Sequence, residues 1–386
     1  MNPMIKDIKT DNGYLTFTLS GVDVSIANAI RRIILSEIET VVFRTAPYSR
    51  CLATIKTNTT RLNNEIIKQR LSCIPIHGIN VEEIKTDTPA IKYLLKINKT
   101  NTSSEVVYVT TQDFQITRED KDKTQLPELS KKEMEAFFPP NPITKSFIDL
   151  ARLRPKIGNV EGDSLILSCE LDVGSAQEDS SFNVASTCSY INTPDKAKAD
   201  AAWKKIEGED TSKKTAEENA EDEFIKRDWY MLDSKRHFTP NSFDFTIQSV
   251  GQYTNKELIE KSCEVMLLKL AEFHQNVNKK NITKVNIVAA DTTIDNAFDI
   301  VMYGEGYTLG KVIECLLFET FYKIEAITYC GFVKPHPHDD VSKIRIGINP
   351  DIEGLETVYK MLDEVVVESL KIFNIILDKF KKNARK

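Results

Sequence analysis

The 386-residue sequence contains no C-x-x-C pair, no apolar run approaching the roughly 18 residues of a membrane-spanning helix, and no excess of positive charge. Each absence excludes something. The seven cysteines (Cys51, Cys73, Cys169, Cys188, Cys263, Cys315, Cys330) are odd in number and far apart, which argues against a disulfide framework and for reduced thiols inside a cell. Met1 to Thr10 lacks the apolar core of a signal peptide, so an intracellular protein with no membrane partner is expected. A net charge of −6 and a pI near 5.6 deny the molecule the electrostatic footprint of a chain that grips phosphate backbones. Its partners are expected to be proteins. The basic tail from Lys379 to Lys386 reads as a solvated helix end, with a nucleic-acid contact as the alternative.

Catalytic constellations are also missing. Phosphoryl transfer needs clustered aspartates around magnesium, and Asp339-Asp340 is the one tempting pair beside a loop. It follows His336-Pro337-His338, but adjacent side chains point apart and no further ligands follow, so a polar loop is the plainer reading. Cys169 and Cys188 lack nearby partners for a metal and read as small buried hydrophobes. A nucleophile pair of Cys330 with His336 has nothing else to support it. No catalytic residue, metal or cofactor is expected.

What is present is ordinary globular composition, 41% hydrophobic and 28% charged, over a length that allows two or three domains. Residues 14–19 alternate as a half-buried strand, Gly21 and Asp23 break it, and Ile26, Ile30, Ile33, Ile34 and Ile38 then recur at helical spacing. Ser25 or Asp23 can cap that helix. The grammar returns far downstream: Phe298 to Met302 as a strand, Gly304 and Gly306 as breakers, Thr308 as a cap, and Leu309, Val312, Ile313, Leu316 and Thr320 at helical spacing. Ala27 and Gly310 coincide as small residues where something can pack closely.

Each unit has a long amphipathic helix to its C-terminal side. One carries Leu355, Val358, Leu362, Val365, Val366, Ser369, Ile372, Phe373, Ile376 and Phe380. The other carries Ile259, Cys263, Met266, Leu267, Leu270, Phe273 and Val277, after a long delay that suggests an inserted domain. Within the insertion, Ile91 to Ile97 and Glu105 to Thr111 read as strands around a polar turn, and Ser164 to Val173 as another. The run Phe138-Pro139-Pro140-Asn141-Pro142 must be a loop. Residues 195–228, dense in Ala, Lys and Glu, read as a solvated surface excursion.

The run Ala27-Asn28-Ala29-Ile30-Arg31-Arg32-Ile33-Ile34-Leu35-Ser36, followed by Glu37-Ile38-Glu39-Thr40, resembles the "NALRRILL…EIPT" helix of the bacterial alpha subunit, the archaeal D subunit and the third-largest subunit of eukaryotic RNA polymerase II. Thr60 to Glu65 and Gln69-Arg70-Leu71-Ser72-Cys73-Ile74-Pro75-Ile76 are similar to the same family's "T-x-x-x-x-x-E…HRLGLIPI" block, with Gln69 and Ser72 departing from His and Gly. Residues 150–154 and 181–185 are similar to later strands of its inserted domain. Farther on, Tyr307-Thr308-Leu309-Gly310-Lys311 and the stretch Ala326 to Pro337 resemble the "HTLGN" and "V-x-F-A-G-Y-K-V-P-H-P" segments of the archaeal L subunit and the eleventh polymerase II subunit. Tyr307, Lys311 and Glu314 replace the usual His, Asn and Arg.

The resemblance implies an α+β fold of two alpha-subunit-like dimerisation modules packed with pseudo-two-fold symmetry. The first, D-like, spans 1–48 and 242–279; a β-rich domain is inserted at 49–241; the second, L-like, spans 281–386. Internal dimerisation would rest on Ile30, Ile34, Leu267, Leu270, Phe273, Leu309, Ile313, Leu316, Leu362, Val366, Phe373 and Ile376. Asn28, Arg31, Arg32, Glu65 and Arg70 are the residues expected to dock other subunits; on composition alone the arginines would be ordinary solvent-facing side chains. The implied role is a non-catalytic assembly platform of a multisubunit DNA-dependent RNA polymerase, one copy per enzyme. Its partners would be the two largest subunits and a small tenth/twelfth-type subunit, with DNA met only through the holoenzyme. The alternative is a stand-alone adaptor. Fusion of two such chains suggests a large DNA virus, with the protein in host cytoplasm or nucleus and in the virion if packaged.

Overall fold

The computed structural model describes residues 1–85, 91–120, 126–127, 129–207, 216–352 and 354–383. Parts of the expected excursion (208–215) and of the basic tail (384–386) lie outside the described residues. The first stretch runs β1 (Met4–Asp11), β2 (Tyr14–Ser20), α1 (Val24–Ser36), β3 (Glu39–Phe43), β4 (Ala53–Asn58), α2 (Asn64–Ser72) and α3 (Val81–Ile84). Next come β5 (Ile91–Thr100), β6 (Val107–Thr110), β7 (Gln115–Asp120), α4 (Lys131–Phe137), β8 (Asp149–Leu153), β9 (Ser164–Ser175) and β10 (Ala185–Pro194). The remainder is α5 (Lys196–Glu207), α6 (Ala216–Met231), β11 (Phe238–Ser249), α7 (Asn255–Asn278), β12 (Val285–Ala289), β13 (Ala297–Tyr303), α8 (Tyr307–Leu317), β14 (Ile327–Val333), β15 (Val341–Ile348) and α9 (Gly354–Asn383).

The architecture is α+β, and the chain divides into two compact units: Met1–Arg32, Cys188–Ile247 and Cys263–Lys386 form one, Ile33–Thr187 and Gln248–Ser262 the other. The first unit holds two four-stranded sheets, ordered β1-β2-β11-β10 and β12-β13-β15-β14. They share one plan. An antiparallel pair feeds a helix (α1 or α8), and a second pair returns to feed a long helix (α7 or α9). The later sheet goes directly from α8 to β14, whereas β3 to β9 intervene between α1 and β10. The division differs from the expected edges of the insertion at 49 and 241, because β10 pairs into the first sheet and α5 and α6 elaborate the β10–β11 connection.

Alternation sets each sheet's buried side: Leu15, Phe17 and Leu19 on β2, Ile344, Ile346 and Ile348 on β15. Phe17 stacks on Phe245 at 5.0 Å and meets Phe380 of α9 edge-on at 5.1 Å. Val358, Leu362, Val365, Val366, Ile372, Phe373, Ile376 and Phe380 are buried along α9, and Ser369 is satisfied by donating to the Val365 carbonyl at 2.8 Å. Leu355, at the expected start of this stripe, is exposed. On α7, Met266 is buried while Leu267 is half-buried, a correction to its place among the core residues; the helix turns Leu267 toward the rim beside exposed Leu268.

In the second unit, β3, β9, β5 and β7 form a sheet in that order, with β4 also pairing β9. Its core includes a cluster of Phe43, Phe114 and Phe138. The hairpin expected between β5 and β6 does not form: β5 pairs with β7 and β9, and β6 pairs with β8. Buried Asn101 explains the departure. Its amide donates to Glu105 O at 2.7 Å and Leu153 O at 3.0 Å, turning the chain off the sheet as β5 ends.

Two further expectations change. Gly306, not Thr308, is the N-cap residue of α8, and Thr308 lies in the first turn. The excursion also contains part of a packed element: Trp203 is buried against Trp229, just past the expected edge at 228, with ring centroids 5.4 Å apart.

Gly310 is where the small-residue reading acquires a cause, since a Cβ there would lie 2.0 Å from the Phe332 ring. Alanine in mid-helix ordinarily gains up to about 1 kcal/mol over glycine, but overpacking costs about 1–3 kcal/mol. Gly310→Ala should therefore lower the chemical-denaturation midpoint, and adding Phe332→Leu should recover most of the loss. An unchanged midpoint for the single variant would mean that the ring yields without cost.

Candidate subunit-docking face

Asp23 caps α1: its Oδ1 accepts from the Ser25 backbone N–H at 2.8 Å, which decides between the two candidate caps. Partial burial pushes the Asp23 carboxyl up, but hydrogen bonds from Ser25, from Cys315 and from the Val24 backbone outweigh it and leave the pKa below its usual 3.8. Beyond the cap, Ile26, Ala27, Ala29, Ile30, Ile33 and Ile34 are buried. Asn28, Arg31 and Arg32 lie half-buried on the polar side.

Arg31 and Asn28 act as a pair. The guanidinium donates to Asn28 Oδ1 through Nε at 3.0 Å and Nη2 at 2.8 Å, so the helix itself orients the fork. Arg32 takes a different partner, donating from Nε to Thr308 Oγ1 of α8 at 3.0 Å. Thr308, read from sequence as a cap, thus instead ties one repeat of the first unit to the other. Residues where α8 departs from the family pattern have partners within the unit: Tyr307 meets Phe332 edge-on at 5.0 Å, and Lys311 pairs with Glu314 at 2.5 Å.

Side-chain pairs mark where α7 and α9 run alongside each other in opposite directions: the ion pair of Glu264 with Lys381 at 3.0 Å, the hydrogen bond between His274 Nε2 and Asp363 Oδ1 at 2.5 Å, and, just past α7, the ion pair of Lys280 with Glu356 at 3.4 Å. Surface pairs of this kind contribute about 0–1 kcal/mol each, whereas one buried Leu, Val or Phe contributes about 1.5–3 kcal/mol. The apolar stripe therefore dominates the stability of this helix pair. Lys379, in the expected basic tail, donates to the Pro3 carbonyl.

Glu65 and Arg70 lie in the second unit, on α2. Asn63 caps that helix by accepting from Ile66 N at 2.9 Å; Glu65 sits exposed in its first turn and Arg70 exposed in its last, each suited to the helix dipole. Five residues apart, they project about 140° from one another and do not form one patch on α2. Arg70 Nη2 donates to Asp149 O at 2.6 Å, fastening α2 to β8. Ser72, replacing the family's glycine, donates its hydroxyl to Gln69 O at 2.8 Å.

Arg44 had no sequence signal. It is buried, donating to Glu178 Oε2 at 2.8 Å, to the Val173 carbonyl at 2.6 Å and to Asp172, with its guanidinium 5.5 Å from the Phe182 ring centre. Burial lowers its pKa, but the hydrogen bonds to Asp172 and Glu178 more than reverse this. Gly174 makes the space, since a Cβ there would lie 2.7 Å from the Phe182 ring. These partners are more than a hundred residues from Arg44 in sequence, beyond the reach of local periodicity. Burial pushes the thiols of Cys169 and Cys188 up to about 12, which keeps them neutral. Among the described residues, no group of three or more His, Cys, Asp and Glu side chains could hold a metal, and no helix is long and apolar enough to cross a membrane.

Comparison with known proteins accords with this arrangement. The family model for the RNA polymerase Rpb3/Rpb11 dimerisation domain matches residues 16–270, more than half of the chain. The chain belongs to that family, whose alpha-like assembly subunits are non-catalytic. It is 42% identical over 72 residues to DNA-directed RNA polymerases IV and V subunit 3B of Arabidopsis thaliana, a match covering 19% of this chain and 20% of that protein. Similarity to DNA-directed RNA polymerases I and III subunit rpac1 of Dictyostelium discoideum extends over 306 residues at 24% identity, 69% of this chain and 79% of that protein. With the probable DNA-directed RNA polymerases I and III subunit RPAC2 of Caenorhabditis elegans, identity is 29% over 84 residues, 22% of this chain and 53% of that protein. The chain thus spans a fifth of the Arabidopsis relative and about half of the nematode one.

Replacing Asp23 by alanine should cost about 1 kcal/mol at neutral pH through loss of the cap. Because the folded pKa is depressed, the carboxylate's contribution is complete above about 3.8 and disappears as pH falls through the lower folded value. Urea midpoints of the wild type and Asp23→Ala should therefore differ at pH 7 and converge in acid; a constant difference would assign the effect to packing.

Proposed function

We propose that this protein is the alpha-type assembly platform of a multisubunit DNA-dependent RNA polymerase, with D-like and L-like halves joined in one polypeptide. The observation that carries this reading is the repeated plan of the two sheets, β1-β2-β11-β10 and β12-β13-β15-β14, each feeding a short and then a long helix. Together with membership of the dimerisation-domain family, it supports two modules, the first at 1–48 with 242–279 and completed by β10, the second at 281–386, facing each other through their long helices. The covalent link makes their association intramolecular, so the pair does not separate on dilution.

The platform docks the two largest subunits and a small tenth/twelfth-type subunit, one copy per enzyme, and meets DNA only through the holoenzyme. It forms no phosphodiester bonds. The Asn28–Arg31 pair is the best-supported docking element, because its fork is preoriented before any partner arrives. Glu65 and Arg70 support a second contact on α2. Arg32 belongs first to the internal tie with Thr308. A single-chain pair also fits an intracellular viral enzyme, acting in host cytoplasm or nucleus and carried in the virion if packaged; the neighbouring genes test that origin.

Affinity purification of the full chain from its source, washed at high salt, should retain the two largest polymerase subunits. The isolated chain should incorporate no nucleotide. Loss of a charge-assisted hydrogen bond costs about 1.5–3 kcal/mol, so Arg31→Glu should weaken that retention about 10- to 100-fold while leaving the denaturation midpoint near wild type. Undiminished retention removes the docking role from Arg31. Partners that vanish with salt, or that are not polymerase subunits, would indicate an adaptor instead.

A further inference from the structure

Between β10 and β11 the chain leaves the first sheet for the α5–α6 hairpin, closed at its base by Asp195 N donating to His237 O at 2.9 Å. Its own core is small: Ala199, Trp203 and Trp229, with Ala202 against them. Tyr230 braces the hairpin by donating to Asp200 Oδ1 at 2.7 Å, and Lys226 lies over Trp203, 6.0 Å from the ring centre. On α6, Phe224 is 66% and Leu232, just past its end, 61% exposed, and Ile225 and Met231 are also exposed.

At 100° per residue these four side chains fall within an arc of about 120°, and Asp228 stands in the middle of it. This is one contiguous face. A helix face of this kind, with large apolar groups around the Asp228 carboxylate, fits an interface core better than a solvated surface. Charge selects what covers it. The α6 sequence carries Glu217, Glu218, Glu221, Asp222, Glu223 and Asp228 against Lys226 and Arg227, within a chain of net charge −6. A phosphate backbone, an anionic lipid surface and a second copy of this chain would all bring like charge to it.

We infer that the exposed face of α6, centred on Phe224, Asp228 and Leu232, is a docking surface for a basic amphipathic helix of a partner protein. The partner lays leucine-type side chains along the apolar arc and sets a lysine or arginine against Asp228. This contact is separate from the docking proposed for α1 and α2 and stands or falls independently of it.

The chain has two tryptophans, Trp203 and Trp229, and both lie in this hairpin, so emission excited selectively from tryptophan reports on it alone. The full chain is titrated with a synthetic helical peptide carrying Leu at i, i+3, i+4 and i+7 and Lys elsewhere, and with the matched peptide carrying Glu for Lys. The Lys peptide should give a saturable emission change, with the Glu peptide at least about tenfold weaker. Phe224→Ser with Leu232→Ser should weaken the Lys peptide about tenfold or more. Asp228→Lys, a single exposed exchange that avoids any folding loss in the double variant, should do the same. Equal affinity for both peptides, no saturable binding, or no effect of Asp228→Lys overturns the inference. So does a concentration-dependent dimer in sedimentation that the double variant abolishes, which would assign the face to a second copy.

Discussion

The buried stripe of α9 is the constraint on which the first unit depends. A helix of 30 residues with ten large apolar side chains buried along one face has no stable existence in water until something covers them. Sheet residues supply part of that cover, as Phe380 against Phe17 shows, and α7 lies alongside with its own buried Met266, Leu270, Phe273 and Val277. The ion pairs along the edges are too weak to hold such a helix, yet they have a use. Opposite charges at Glu264–Lys381 and Lys280–Glu356 favour one direction and one register among the many that apolar contact alone would allow.

Once α1 and α8 are placed on their sheets, the charged side chains they carry have to find partners, and three solutions result. Arg31 is held by its own helix through Asn28, Arg32 reaches Thr308, and Lys311 is neutralised by Glu314 one turn away. The last two involve α8. They explain how α8 can depart from its family's pattern without leaving charges stranded, since Tyr307, Lys311 and Glu314 each acquire a partner within the same unit. The second unit solves the same problem at higher stakes: Arg44 is buried and tolerable because two carboxylates, a carbonyl and an aromatic face surround it, in a space that Gly174 leaves open.

Much of this was legible from residue order alone. Period-two alternation marked β2 and β9, helical spacing marked α1, α7, α8 and α9, and Gly-Asp breakers marked the turns, because each of these depends on neighbours within a few residues. The two repeats and the family likeness were legible for the same reason. Only tertiary structure decided the rest: that β6 pairs with β8 rather than β5, that β10 belongs to the first sheet, that Thr308 receives Arg32, that Trp203 and Trp229 meet, and that Met266 rather than Leu267 is fully buried. Periodicity tells a side chain which face it occupies but not what will lie against it. That second choice is made between residues tens to hundreds of positions apart, where burial, hydrogen-bond geometry and available space act together.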